Sequence, residues 1–139
     1  MDPVKLVYLA MLVQVAIPIS VLLLNAKRKS DQTKTGEISE EAPIDNRAWS
    51  LPVLLTSNSL ANQFQLPVLF YVLCLMLIQV GHVNQFVVGL CWWFVVTRWV
   101  HAYVHVTSNH IPHRLGAFLA GALSLLILFV YTSFVFITL

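Results

Sequence analysis

The chain has 139 residues, 58% of them hydrophobic and 10% charged, with a formal net charge of +2. Soluble domains carry roughly a quarter of their residues as charges, so the composition excludes an ordinary water-soluble domain and raises the question of how often the chain crosses a bilayer. The positive charge is too small and too scattered to argue for nucleic acid as a partner.

In chain order, the first apolar segment runs over about residues 4–24 and is interrupted only by Gln14, Pro18 and Ser20. Its basic residues, Lys27, Arg28 and Lys29, follow the apolar run instead of preceding it. No small-residue cleavage site ends it, so it is expected to be a retained helix and not a signal peptide. Residues 25–50 come next and form the only strongly polar stretch; with mixed charges, Gly36 and Pro43, they are expected to form a solvated loop, mobile in part. Three further apolar segments cover about residues 51–80, 86–107 and 115–139.

Roughly 20 apolar helical residues cross a ~30 Å hydrocarbon core, and a backbone in lipid must satisfy its own hydrogen bonds. The expected fold is therefore all-α: an integral membrane four-helix bundle forming one domain over residues 1–139. Residues 25–50 hold five of the eight Lys and Arg residues, which by the positive-inside rule places that loop in the cytoplasm. Both termini then lie on the opposite side, and residues 110–114 lie on the cytoplasmic side. Cys74 and Cys91 sit in apolar runs without metal-type spacing and are expected to be buried free thiols.

All six acidic residues precede position 46, whereas Arg98 lies inside the third apolar segment. A charge at membrane depth costs about 2.5 kcal/mol or more and needs a partner. That partner must be a neutral amide, a histidine, water, a loop acid or a ligand. Arg98, His101 and His105 fall at i, i+3 and i+7, which makes them one helical stripe. Asn58, Asn62 and Gln65 form a second stripe at i, i+4 and i+7 on the preceding segment. Folded back at the Gly81–His82 turn, the two stripes lie at matching depths, level by level, as a binding site would require. The bland alternative is that these amides are interhelical glue, contributing ~0.6 kcal/mol per bond. His101 with His105, and His110 with His113, have spacings that could hold metal, but no acid stands near to complete a ligand set. No metal is expected.

Taken together, the chain resembles the MAPEG family, the membrane-associated proteins in eicosanoid and glutathione metabolism. "NQFQLPVLFY" (residues 62–71) is similar to the family's second-helix block, in which Asn is followed three residues later by Glu and then by Pro. Asn62 and Pro67 match that block. Arg98, His101, and "IPHRLG" with Pro112 and Arg114 are similar to the family's arginine-rich block. Gln65 stands where the family has Glu, Asn58 where an Arg often stands, and His105 where a Tyr is common.

The resemblance implies a homotrimer that holds glutathione near the cytoplasmic side. It implies glutathione transfer to, or peroxide reduction of, lipophilic electrophiles. Arg114 is then the thiolate-stabilising catalytic residue, and Arg98, His101, Asn62, Gln65, Asn58 and His105 are the ligand-binding residues. The expected partners are the bilayer and a lipophilic small molecule. The alternative is a non-enzymatic membrane scaffold or small-molecule-binding protein that retains the same fold.

Overall fold

The computed structural model of the chain describes residues 1–36 and 38–139. Its elements are α1 (Pro3–Thr35), one 3-10 turn (Asn46–Ala48), α2 (Leu51–Asn62), α3 (Leu66–Gln79), α4 (Gln85–Val106) and α5 (Ile111–Thr138), with no strand among the described residues. Four spans are long and apolar enough to cross a membrane, α2 and α3 together forming the second, Leu51–Gln79. Many large apolar side chains face outward, among them Leu12, Leu23, Trp93, Tyr103 and Phe134. Such an exterior suits hydrocarbon and would be an aggregation hazard in water.

Two elements depart from expectation. α1 continues to Thr35 through residues expected to be loop. At 1.5 Å per residue it is about 50 Å long, so its last turns project beyond the hydrocarbon. Lys34 in its last turn complements the helix dipole, and Gly36 stops it in the left-handed conformation (φ 73°), its N–H bonded to the Thr33 carbonyl.

The second span, expected to be one helix over residues 51–80, breaks at residues 63–65. Pro67 explains the break: it has no N–H, and its ring crowds the carbonyl four residues back, at Gln63. Pro18 lies inside α1 without interrupting it.

α4 occupies the centre, half of its apolar window being buried against about a third for the other spans. It packs most extensively on α5 and α1. Gly121 permits the close approach of α5: a Cβ there would lie 2.8 Å from Thr97 Oγ1. The main core joins α1, α3, α4 and α5, with Phe70 stacked on Phe94 at 4.6 Å between ring centroids. Cys74 and Cys91 are buried free thiols whose sulfurs lie 3.6 Å apart.

At the end of the bundle carrying the α3–α4 turn, Asn84 accepts from the Val87 N–H and donates to the Tyr131 hydroxyl. At the other end, half-buried Arg28 donates to the carbonyls of Pro52 (2.8 Å) and Val106 (2.9 Å), tying α1 to the start of α2 and the end of α4.

Candidate functional site

The face of α2 turned toward the bundle interior carries Thr56, Ser59 and Gln63, all buried. Asn25 of α1 accepts hydrogen bonds from Thr56 Oγ1 (2.9 Å) and Ser57 Oγ (3.2 Å). Asn58, Asn62 and Gln65 face a cleft shared with α4 and α5, so they do not meet Arg98 side chain to side chain.

Arg98 is fully buried behind that cleft. Its Nη2 donates to the Asn62 carbonyl (3.2 Å) and to Gln63 Oε1 (3.4 Å), while Nε and Nη1 have no protein acceptor. Its partners are thus a backbone carbonyl and a neutral amide. The amide is that of Gln63, which the stripe reading passed over in favour of its neighbours. Gln63 is in turn held by donating to the Ser59 carbonyl at 3.0 Å.

The cleft has a volume of about 530 Å³, within the range of small-molecule sites. It gathers six of the seven residues expected from the sequence: Asn58, Asn62, Gln65, His101, His105 and Arg114. Ala61, Ile111, Leu115 and Phe118 complete its walls. Asn62 is steadied by donating from Nδ2 to the Asn58 carbonyl (3.1 Å).

His101 Nδ1 lies 3.0 Å from the Arg114 carbonyl. A carbonyl only accepts, so Nδ1 carries the proton of this bond and, in the neutral ring, Nε2 is left as an acceptor. His105 stands edge-on to His101, their ring centroids 5.6 Å apart. The Arg114 guanidinium donates to Asn109 Oδ1. Asn109 occupies the α4–α5 turn in the left-handed region, at φ 49°, a conformation that asparagine tolerates better than most residues. Two contacts therefore hold Arg114: one from α4 to its backbone and one from the turn to its head group. The sequence analysis did not single out Asn109; a Ser-Asn pair between two helices was the available signal.

A second hollow, apolar and about 690 Å³, lies between α3 and α5 and begins at Leu69 and Ala122. Those residues lie one helical turn beyond Gln65 and Phe118, so the apolar hollow follows the polar cleft along the second span and α5.

The fold defines an integral, multi-pass membrane protein of four spanning segments, with a polar cleft at the α4–α5 end of the bundle. The chain belongs to the MAPEG family, whose model matches residues 6–134. No curated protein and no solved structure matches it.

Proposed function

We propose that this protein binds glutathione in the polar cleft and uses its thiol against a lipophilic electrophile or peroxide. The observation that carries the proposal is Arg114: a guanidinium on the cleft wall, held by a neutral partner and so not neutralised, among amides and imidazoles. Glutathione supplies a nucleophilic sulfur, which in a free thiol has a pKa of about 8.5. Beside Arg114 the anionic form is favoured, and the nucleophile is present at neutral pH. Asn58, Asn62 and Gln65 offer amide donors for peptide carbonyls and carboxylates. These groups fit the carboxylates and the sulfur of glutathione, but none of them is an acid to meet its ammonium.

The apolar hollow one turn away supports a lipophilic second substrate. Arg98, enclosed and bonded to α2, acts as a structural charge that holds the break between α2 and α3 and does not grip the ligand itself. In this reading the chain assembles as a homotrimer, and residues 36–50 and the cleft face the cytoplasm.

The other reading is a binding or scaffold protein without chemistry. It is favoured by Gln65 standing where the family has Glu and by the enclosure of Arg98. Calorimetric titration of glutathione into the detergent-purified protein tests the proposal. Saturable binding that weakens about tenfold or more in Arg114→Ala, with the thermal midpoint kept, supports it. Absence of binding favours the scaffold. Binding without turnover of any lipophilic electrophile favours a carrier of small molecules.

A further inference from the structure

The charge inventory of the cleft is one-sided. Its polar walls are three amides, two imidazoles and one guanidinium, and among the described residues no carboxylate lines it. Among the described residues, Asp2 caps the far end of α1. Asp31 belongs to a separate hollow that it shares with Arg28 at the start of α2. Glu40, Glu41 and Asp45 lie in the segment between α1 and α2.

Positive potential comes from several directions at once. Arg114 sits in the first turn of α5, next to His113, where a cation opposes the helix dipole and costs local stability. Arg98 adds a buried charge with two unpartnered donor nitrogens just behind Asn62. α3 and α5 both begin on the cleft wall, at Gln65 and Ile111, and neither start has a side-chain cap. His101 and His105, each more than nine-tenths buried, add imidazoles to the wall that offer acceptors and do not contribute to this potential.

We infer that, among peptide-like thiols of the glutathione type, the cleft prefers those that carry the carboxylate groups but whose amine is acylated or absent over glutathione itself. The inference rests on the reading of the cleft as a thiol-ligand site and narrows the class of thiol. Carboxylates gain from Arg114 and from the helix starts. An ammonium placed among the same groups gains nothing comparable: the amide and imidazole acceptors can take its N–H bonds, but a neutral acceptor does not offset the desolvation of a cation beside Arg114. Gln65, on the cleft rim where the family has Glu, is the position that sets this preference.

The test is a competition in detergent with the full chain, using four probes: glutathione, its N-acetyl derivative, its dicarboxamide, and a sulfur-free N-acetyl dicarboxylate tripeptide. N-acetylglutathione is expected to bind several-fold more tightly than glutathione, equal binding overturning the preference, and the dicarboxamide about tenfold or more weakly. In Gln65→Glu the order of the first two reverses, because the new carboxylate meets the ammonium. That variant keeps the fold, since an acid at the start of α3 suits the helix dipole. Acetylation that weakens wild-type binding tenfold overturns the inference and leaves the thiol reading standing. Equal binding of the sulfur-free peptide and the N-acetyl thiol upholds the inference and removes the thiol from it. If no anionic probe binds, both readings fall.

Discussion

Arg98 and Arg114 are the two charges of the arginine-rich block, and their surroundings assign them different work. Arg98 is enclosed, and among the described residues its protein acceptors are Gln63 and the Asn62 carbonyl. Replacing a buried, hydrogen-bonded charge by a smaller group leaves both a cavity and an unmet amide. Arg98→Ala is therefore expected to lower stability by about 2–4 kcal/mol. Arg98→Met, which fills most of the volume and removes a desolvated charge, is expected to recover a large part of that loss. Thermal unfolding of the two variants in one detergent gives the comparison; a wild-type midpoint in Arg98→Ala would show that the charge holds nothing together.

Asn109 affects Arg114 through geometry. Asn109→Gly keeps the left-handed turn and deletes the acceptor, so it is expected to weaken glutathione binding several-fold with little change in stability. Asn109→Ala is expected to lose about 1 kcal/mol of stability as well, because Cβ disfavours φ 49°. Equal binding by wild type and Asn109→Gly would remove Asn109 from the site.

At the scale of elements, two junctions govern the bundle. The α4–α5 contact depends on a missing side chain. In Gly121→Ala the new Cβ would press on Thr97 Oγ1 at 2.8 Å, and overpacking of this kind costs about 1–3 kcal/mol. Thr97→Ala removes that oxygen, so the double variant is expected to recover most of the loss, and a double-mutant cycle measures the coupling. Additive effects would mean that the helices shift apart freely.

The second junction is Arg28, which bonds the carbonyls at the start of α2 and the end of α4. Arg28→Ala is expected to speed amide exchange in residues 104–109 while leaving the α3–α4 turn unchanged. The break at residues 63–65 was legible in Pro67, because proline conflicts with the carbonyl four residues back. The face that meets Arg98 was not legible. Two helical stripes, Asn58–Asn62–Gln65 and Thr56–Ser59–Gln63, run side by side on this span, and it is the second that is buried toward the bundle interior with Arg98.

For the whole molecule, the apolar exterior implies that detergent or lipid must cover most of the surface. The proposed topology is checked with Glu40→Cys, an exposed position in the segment between α1 and α2; the native thiols, both buried, should stay silent. Labelling of oriented vesicles from the cytoplasmic face alone is expected, and labelling from the opposite face would invert the topology. Native mass spectrometry is expected to find three copies per particle, and a monomer would leave the cleft to be completed by one chain.

Composition and hydropathy by themselves determined that this chain is helical, lies in a membrane and crosses it four times, because in hydrocarbon a backbone has few ways to satisfy its own polar groups. The joint pattern of Asn62, Pro67, Arg98 and Arg114 also carried the family. Helical periodicity put six residues at one depth, and they line a common cleft, since depth in a membrane follows from residue spacing. Their partners were decided only in three dimensions. Rotation about a helix axis, the break before Pro67 and the left-handed turn at Asn109 together placed Arg98 behind the wall and Arg114 on it. Spacing along a helix records depth and face but not which neighbour that face meets, and that neighbour separates a structural charge from one that can receive an anion.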